Sequence, residues 1–544
     1  MTGWTPARPP TRETVLPFSK IGLFGPLAAV AALSLAFAAS DAAAQKVLRY
    51  VPHANIGTLD PVNNLSSMTH QHAWRVYDSL FGDDTAGVTH PQMVESYTMS
   101  ADGKVYTIKL RPGLKFHDGT PVRVVDVVKS IERWSKMDAG GKRLVGLGMT
   151  LAAVDDRSFT LTLREPFGST IPVLGYGNTA LYIMREKEAS VDAATPITEV
   201  VGSGPFVFKK DEFSPGNKVV YEKFKDYVPR SEAVSGLAGA RIAKVDRIEM
   251  IFMPDAATAV AALDKGEIDM YESPPLDLLP VLRRNPNIKI VVYNKGGMLS
   301  MIKPNFLHPP FNHPKARQAL MHMVDQSDYM SAAIGSDPAN WTTCWAVMGC
   351  GTPMMSEAGS EPYSKPDIAK AKQLLLESGY KGEKIVVLIA MDLHLLRSLA
   401  QVTAQKLRDI GANVEEVAVD WAVVLQRGNK KDPPEQGGWH LFHTGFTGKQ
   451  LTNAISNFPI GSPCDQSGYR GWTCDQKMED LLSEWLKEPD LAKRKAIGER
   501  IQRQAMEMVQ FVPLGQFFQP MATRANITGF QETFLPVFWN VEKN

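Results

Sequence analysis

Apolar and polar side chains alternate in the segment VYTIKL, which lies within DGKVYTIKLRPGLKFHDGTP at 102–121. Tyr106, Ile108 and Leu110 fall on one face of an extended chain, and polar residues fall on the other, as in a half-buried strand. A Pro-Gly pair and then an Asp-Gly pair supply turn chemistry. From Val124 onward, apolar residues recur at helical spacing. The segment therefore predicts a strand, a turn, a short strand, a second turn and a helix, and none of these requires a catalytic role.

The same two periods recur along the rest of the chain. Alternation predicts strands at 46–52, 157–166, 218–224, 247–253 and 439–443. Helical spacing predicts helices at 68–80, 256–263, 367–379, 395–409, 478–485 and 497–508. The order KIVVLIA, helix, NVEEVAV is a strand–helix–strand unit, which favours the α/β class. The segment 444–474 is rich in Gly, Asn and Ser and predicts a loop.

The N-terminal segment has the composition of an export signal. Basic residues precede an apolar run at 21–39, and small residues follow it up to Ala44. This order predicts a secretory signal peptide at 1–44 that is cleaved, and hence a periplasmic protein. The alternative is a membrane anchor, because the apolar run is nearly long enough to span a bilayer.

Composition narrows the class of protein. The 544 residues suffice for roughly three domains of about 150 residues each. Hydrophobic residues make up 44% of the chain and charged residues 22%, which is ordinary for a globular protein. The net charge is +1 and no basic run stands out, so we expect no nucleic-acid partner.

The four cysteines lie in the second half of the chain as two close pairs. An exported protein meets an oxidising compartment, where disulfides form. Four cysteines allow three pairings, and pairing of neighbours is the simplest. We therefore predict the disulfides Cys344–Cys350 and Cys464–Cys474. The absence of CxxC spacing argues against structural zinc.

The chain carries no sequence motif of a hydrolase, a metalloprotease or a nucleotide-binding loop. His70 and His72 would point apart on a helix, and His440 and His443 would lie on opposite faces of a strand. We therefore expect no enzyme activity, no metal and no cofactor. The ten tryptophans suit either core packing or a binding cleft, and composition does not separate the two.

The segment HPQMVESYTMSADGKVYTIKLRPGLKFHDGTP at 90–121 closely resembles the diagnostic segment of family 5, the peptide/nickel class of ABC-importer solute-binding proteins. Other stretches agree with the family in their order along the chain. They are LDP at 59, YDSLF at 77, GSGPFVF at 202, ALDKGEIDM at 262, PPFNHPKARQAL at 309, AKQLLLESGY at 371 and QKLRDIGANVE at 405. Each motif is weak alone, but the ordered set is specific and spans nearly all of the mature chain.

Two positions depart from the family pattern. The family usually places a helix-capping Thr after DGTP, where this chain has Arg123 two residues on, so the helix start must be satisfied otherwise. Peptide-binding members commonly carry an Asp a few residues after a Gly-Trp pair, where it binds the peptide amine. Gly438-Trp439 is followed by HLFHTGFTGKQLTN, which has no acid. The usual amine anchor is thus missing, unless an acid such as Asp420 replaces it.

The resemblance implies an α/β fold of two lobes with an extra domain and a ligand cleft between the lobes. Lobe one would comprise 45–82, 204–296 and 511–544, the extra domain 83–203, and lobe two 297–510. The lobes would close on a solute by a hinge motion. The hinge is predicted at Gly204 and Pro205.

The implied function is capture of a small solute, a peptide or peptide-like molecule, and its delivery to an ABC permease by a monomeric binding protein. Alternatives within the family are a metal or haem complex, a sugar or an opine, and the alternative outside it is a secreted enzyme. The predicted ligand-binding residues are Ser66, Ser67, Trp421, Gly438, Trp439, His440, Phe442 and Thr444. For each of them, a structural role is an equal alternative.

Overall fold

The computed structural model describes residues 45–63, 66–177, 180–454 and 456–544. The predicted signal peptide at 1–44 lies outside the described residues. Within the described ranges, none of the helices combines the length and the apolar character needed to cross a membrane.

The elements are numbered in chain order. The strands are β1 (Val47–Val51), β2 (Phe81–Asp83), β3 (Thr89–Pro91), β4 (Val94–Met99), β5 (Val105–Leu110), β6 (Thr150–Ala153), β7 (Ser158–Thr162), β8 (Phe206–Phe208), β9 (Lys218–Lys223), β10 (Arg247–Ile251), β11 (Met270–Tyr271), β12 (Ile288–Val291), β13 (Met298–Pro304), β14 (Trp341–Thr342), β15 (Lys384–Ala390), β16 (Asn413–Val419), β17 (Leu441–Thr447), β18 (Val512–Phe517), β19 (Met521–Arg524), β20 (Ile527–Thr528) and β21 (Glu542–Lys543). The helices are α1 (Ser67–Val76), α2 (Val124–Trp134), α3 (Ala139–Gly146), α4 (Thr170–Gly175), α5 (Glu186–Ala189), α6 (Ala256–Lys265), α7 (Leu279–Leu282), α8 (Pro314–Met323), α9 (Gln326–Ile334), α10 (Ile368–Glu377), α11 (His394–Asp409), α12 (Trp421–Gly428), α13 (Gly448–Thr452), α14 (Gln476–Lys487) and α15 (Leu491–Met508).

The first sheet has seven strands in the order β12-β19-β11-β1-β10-β9-β8. Its central strand β1 runs parallel to both β10 and β11. The strands come from three separated parts of the chain, because β1 and β19 lie near opposite ends of the sequence. Helix α1 packs beside β8, and its Trp74 belongs to the core beneath this sheet.

The second sheet has six strands in the order β14-β18-β13-β17-β15-β16. The predicted strand–helix–strand unit is confirmed, since β15 and β16 pair in parallel along their whole length and α11 connects them. Six of the seven residues of β15 are buried, which agrees with its nearly continuous apolar sequence.

The third sheet is antiparallel, with the order β4-β5-β7-β6. Its strand β5 confirms the alternation, because Tyr106, Ile108 and Leu110 are all at most 3% exposed. Helix α2 begins after Arg123 without a Thr cap. Instead, the backbone N–H of Arg123 donates to Asp126 Oδ2 at 2.8 Å, which satisfies the helix start.

The chain passes between the first and second sheets twice, at 292–297 and at 518–520. The boundary at 510/511 stays a prediction; β18, which follows it, pairs with β13 in the second sheet up to Phe517. Gly204 and Pro205 belong to neither crossing. They are buried beside the end of α1, where the N–H of Gly204 donates to the Val76 carbonyl at 2.8 Å.

Strand β17 and helix α1 differ from their predicted bounds in ways that bear on the cavity. Strand β17 begins at Leu441 and continues to Thr447, and α13 follows it within the segment predicted as a loop. Pairing with all seven residues of β13 extends the strand beyond its local signal. Helix α1 ends at Val76 instead of reaching Leu80, because Tyr77 is extended and the Val76 carbonyl accepts from the Gly204 N–H.

Both predicted disulfides are confirmed. Cys344 pairs with Cys350 and Cys464 pairs with Cys474, with Cα atoms 5.8 and 4.3 Å apart. Each closes a short loop in the second half of the chain. In the chain-entropy account, short loops such as these add a few kcal/mol at most.

Candidate functional site

A cavity of about 490 Å³ lies between α1 and the segment with Phe534 and Leu535 on one side and β13 and β17 of the second sheet on the other. Its wall also includes residues of α3, which lies between β5 and β6 of the third sheet, and of α4, which follows β7. The lining residues are Ser67, His70, Met137, Asp138, Ala139, Gly140, Lys142, Val173, Tyr176, Met298, Thr447, Gln450, Asn453, Ser456, Phe458, Phe534 and Leu535. A cavity of this volume is within the range of small-molecule sites.

Hydrogen bonds join the two sides near this cavity. Lys449 Nζ at α13 is 2.5 Å from Asp83 Oδ2 at the end of β2. The Tyr176 hydroxyl lies 3.0 Å from the Lys449 carbonyl and 2.7 Å from Ser456 Oγ. Ser169 Oγ donates to the Leu486 carbonyl at 2.7 Å. These contacts hold the second-sheet side against α4 and β2 in the present conformation.

The polar groups of the wall are mostly neutral. Burial lowers the pKa of His70 to about 4, so its ring is uncharged at neutral pH. Its Nδ1 is 3.1 Å from the Tyr182 hydroxyl, and its Nε2 has no hydrogen-bond partner among the described residues. Lys142 is exposed and forms no ion pair with any described residue. Asp138 accepts from the Gly141 N–H at 2.9 Å, capping α3.

Apolar side chains form much of the remaining wall. Met137, Met298, Phe534 and Leu535 contribute flexible or flat surface, and Phe458 is 41% exposed. Flat apolar groups beside a few hydrogen-bonding groups suit a solute with both apolar and polar parts. The arrangement can therefore bind and orient such a solute.

Ser67 is the predicted binding residue that lies on the cavity wall. It begins α1, and its Oγ is 2.9 Å from His53 Nε2. Ser66 immediately precedes it at the N-cap position and is exposed.

The predicted residues of the Gly-Trp segment lie away from the wall. Trp439 is 0% exposed and packs against Phe442 and Trp472, with ring centroids 5.1 and 6.0 Å apart. Gly438 does allow another group to come close to its backbone, but that group is the backbone of Asp432 and not a solute. A Cβ at this position would lie 1.9 Å from the Asp432 carbonyl oxygen.

The other predicted residues also make contacts within the fold. His440 accepts from the Val386 N–H at 2.9 Å, and its Nε2 lies 2.9 Å from the Pro309 carbonyl. Thr444 is buried on β17, three residues before Thr447 reaches the cavity. Trp421 is half-buried at the start of α12.

The histidine pairs considered for metal binding contact different partners. His70 approaches Tyr182, whereas His72 approaches Tyr221. The described residues include one cluster with metal-ligand proximity, made of Cys344, Cys350 and Glu357. Its two sulfurs are joined as a disulfide, so they offer no thiolate to a metal.

Several wall residues were missed by the sequence analysis, among them Lys142, Tyr176, Met298 and Gln450. One sequence pattern could have indicated this part of the wall. Thr447 and Gln450 match the capping-box pattern, and the Thr447 N–H donates to Gln450 Oε1 at 3.0 Å. This pattern marks a helix start directly after β17, at the part of the strand that reaches the cavity.

Comparisons with known proteins cover most of the chain. The family described as "Bacterial extracellular solute-binding proteins, family 5 Middle" matches residues 88–458. A "Probable peptide ABC transporter periplasmic-binding protein" of Sinorhizobium fredii is 38% identical, covering 95% of this chain and 98% of its own. The glutathione-binding protein of Escherichia coli strain K12 is 27% identical, covering 92% and 94% respectively. A solved binding protein in complex with agropinic acid, from A. tumefaciens R10, has a TM-score of 0.73 at 23% identity and covers 92% of this chain and 99% of its own.

Proposed function

Because the chain belongs to family 5 of the bacterial extracellular solute-binding proteins, we propose that it is the solute-binding component of an ABC importer. It captures a small solute in the 490 Å³ cavity and delivers it to a membrane permease. The cavity is the observation that supports this proposal. Its wall contains residues from both of the parts of the protein that the two chain crossings connect.

In this proposal, the first and second sheets are the cores of two lobes that open and close on the solute. The crossings at 292–297 and 518–520 suit a hinge, because they connect the sheets and lie beside each other. Gly297 has φ +53°, and a Cβ there would lie 2.7 Å from the Phe517 carbonyl oxygen. The hinge at Gly204 and Pro205 and the extra domain at 83–203 remain predictions.

A peptide or peptide-like molecule is the proposed solute. The Sinorhizobium relative is named as peptide-binding and the Escherichia relative as glutathione-binding. Backbone amides of such a solute can pair with the amide of Gln450 and the hydroxyl of Ser67, while its side chains contact Met298 and Phe534. An opine, a sugar or a metal complex is the alternative.

The test is a thermal-shift screen of the mature protein against pools of short peptides, opines, sugars and metal chelates, followed by calorimetric titration of each hit. A solute present at 100 times its Kd stabilises the native state by about 2.7 kcal/mol, which gives a measurable rise in Tm. Peptides are expected to give the largest shift. A shift confined to sugars or metal chelates would replace the proposed solute class, and the absence of any shift would contradict the function.

The proposed location is the periplasm, reached through cleavage of the signal peptide near residue 45, and the protein is proposed to act there as a monomer. N-terminal sequencing of the protein from a periplasmic extract tests the cleavage, and light scattering tests the monomer. An intact Met1 in the membrane fraction would support the anchor alternative.

Replacing Lys449 with Met is expected to weaken solute binding about 10-fold. The variant removes the Lys449–Asp83 ion pair, which joins α13 to β2 across the cavity region. Asp83 is only 6% exposed in its side chain, so closure would bury its carboxylate without this partner. At about 1.4 kcal/mol per decade of Kd, the expected loss matches one charge-assisted hydrogen bond. Calorimetric titration measures it.

The control is Lys477→Met, which removes an ion pair with Glu507 at 3.9 Å on the surface of the second-sheet side. Both side chains are more than two-thirds exposed, so neither affinity nor stability should change. Equal affinities for the Lys449 and Lys477 variants would show that the Asp83 contact does not contribute to closure.

A further inference from the structure

Ser67, His53 and Glu272 form a hydrogen-bonded chain that ends on the cavity wall. Ser67 Oγ lies 2.9 Å from His53 Nε2, and His53 Nδ1 lies 2.9 Å from Glu272 Oε2. These residues are distant in sequence, since 219 positions separate His53 from Glu272. A serine, a histidine and a carboxylate in this order are the components of a nucleophilic triad.

The protons in this chain can be assigned from the chemistry of its groups. A carboxylate only accepts hydrogen bonds, so His53 Nδ1 donates to Glu272. In the neutral ring, Nε2 is then the acceptor, and the Ser67 hydroxyl donates to it. This is the tautomer that a histidine needs to remove the serine proton.

Glu272 is held firmly in its position. Its side chain is 2% exposed and accepts hydrogen bonds from the Tyr50 hydroxyl, from Gln71 Nε2 at 2.6 Å and from the His53 backbone N–H at 2.9 Å. Burial alone lowers the pKa of His53, but the hydrogen bond and the negative charge of Glu272 raise it above its ordinary value overall. The carboxylate therefore orients the ring and stabilises its protonated form.

Ser67 is also placed beside donors for a developing oxyanion. It is the first residue of α1. Backbone N–H groups point outward at a helix start, and next to a nucleophile they can stabilise the negative oxygen of a tetrahedral intermediate.

We propose that Ser67 is an activated nucleophile that accepts acyl groups from esters entering the cavity. Ser67 Oγ attacks the ester carbonyl carbon, and its proton passes to His53 Nε2. The ester C–O bond then breaks, and His53 returns the proton to the leaving alkoxide. Water attacks the acyl-serine in the same way, which releases the carboxylic acid and restores the serine. Ser67 and His53 are the catalytic residues, and Glu272 is a positioning residue.

This activity is separate from solute capture, which does not require a covalent step. Among the wall residues that carry hydroxyl groups, Ser456 instead lies beside the Tyr176 hydroxyl and donates to the Gln450 carbonyl. Ser67 has the histidine and the carboxylate behind it, so reactivity should be specific to this one position.

The experiment uses the mature full-length chain and two probes, a fluorophosphonate and p-nitrophenyl acetate. The fluorophosphonate should form a Ser67 Oγ–P bond with loss of fluoride, and peptide mass spectrometry locates the adduct. We expect labelling of Ser67 that falls about 100-fold in His53→Gln, the typical contribution of a general base, and disappears in Ser67→Ala. p-Nitrophenyl acetate should release one equivalent of p-nitrophenol in a burst that Ser67→Ala lacks.

Glu272→Gln and pH provide the second readout. The labelling rate should fall as pH drops through the pKa of His53, because the protonated ring cannot accept the serine proton. In Glu272→Gln the midpoint of this profile should move to lower pH, since the charge that raises the pKa is gone. If the hydrogen-bond chain were purely structural, Ser67 would not be labelled, and there would be no pH-dependent labelling rate to measure.

Ser331→Ala is the matched control, because Ser331 is an exposed serine on α9. It should label and hydrolyse like the parent protein, and thermal melts should show that every variant is folded. The absence of an adduct on Ser67, or equal labelling rates for the parent and His53→Gln, would overturn the proposal. Either result would leave solute binding intact, so it would not count against the transport function.

Discussion

Replacing Trp439 with Ala should lower the free energy of unfolding by about 3–5 kcal/mol, with unchanged solute affinity of the folded protein. The side chain is 0% exposed and packs against Phe442 and Trp472 within the second-sheet core. Its removal leaves a cavity that the surrounding strands only partly fill. Denaturant unfolding and calorimetric titration on the same variant measure the two quantities.

Trp341→Ala is the matched control, since Trp341 is a half-buried tryptophan on β14 of the same sheet. It should destabilise the protein less, because less of its surface is removed from water on folding. The prediction that Trp439 contacts solute leads to a different result. An affinity loss of roughly 30-fold at nearly unchanged stability, as for a buried aromatic anchor, would place Trp439 in the binding site.

Replacing Arg133 with Met should lower the free energy of unfolding by about 3–5 kcal/mol at neutral pH. This is the usual effect of removing one partner of a buried ion pair. Arg133 pairs with Asp60 through two hydrogen bonds of 3.0 and 2.7 Å. The two side chains are 1% and 0% exposed. The pair connects the end of α2 to the LDP turn after β1, so its loss leaves a buried carboxylate without a counter-ion.

The effect should depend on pH. Burial raises the pKa of Asp60, but the hydrogen bonds and charge of Arg133, with backbone donors, hold it below its ordinary value overall. The parent pair therefore contributes stability above the ordinary carboxyl pKa of about 3.9 and loses it as pH falls through the lower folded value. In Arg133→Met, burial is opposed only by the backbone donors from Ile197 and Val62, so the pKa of Asp60 rises, and the deficit should be largest at pH 7 and smaller near pH 4.

Lys129→Met, on the same helix, is the control. Its partner Glu132 lies 2.8 Å away, but the side chains are 39% and 46% exposed. Exposed pairs of this kind contribute about 0.5 kcal/mol or less. Equal unfolding free energies for the Lys129 and Arg133 variants would contradict the proposed importance of the buried pair.

Local features of the fold were predictable from the sequence because their causes are local. Asp367 accepts from the Lys370 N–H at 2.8 Å and starts α10, as the placement of an Asp before an apolar repeat indicates. The alternation in β5 and the apolar run of β15 likewise predicted strands that the structure contains. Turn residues and side-chain periods act within a few positions, so they are readable without the rest of the chain.

The ends of elements were less predictable, because partners distant in sequence set them. The local pattern of β17 predicts a strand at 439–443, but pairing with β13 carries it on to Thr447. That extension matters for function, since Thr447 and Gln450 reach the cavity while Trp439 stays in the core. The Gly-Trp motif therefore pointed to β17, the strand that reaches the cavity. However, the motif lies at the start of this strand, and the end of the strand lines the cavity.

The sequence by itself determined the α/β class, the two disulfides, the strand–helix–strand unit and, through the ordered motifs, the family. Only the tertiary structure decided which side chains meet. Ser67, Lys142, Tyr176 and Phe534 share one cavity wall, and His53 and Glu272 stand behind Ser67. The physical reason is that these contacts depend on how separate sheets and helices pack, whereas a sequence pattern records only the preferences of neighbouring residues.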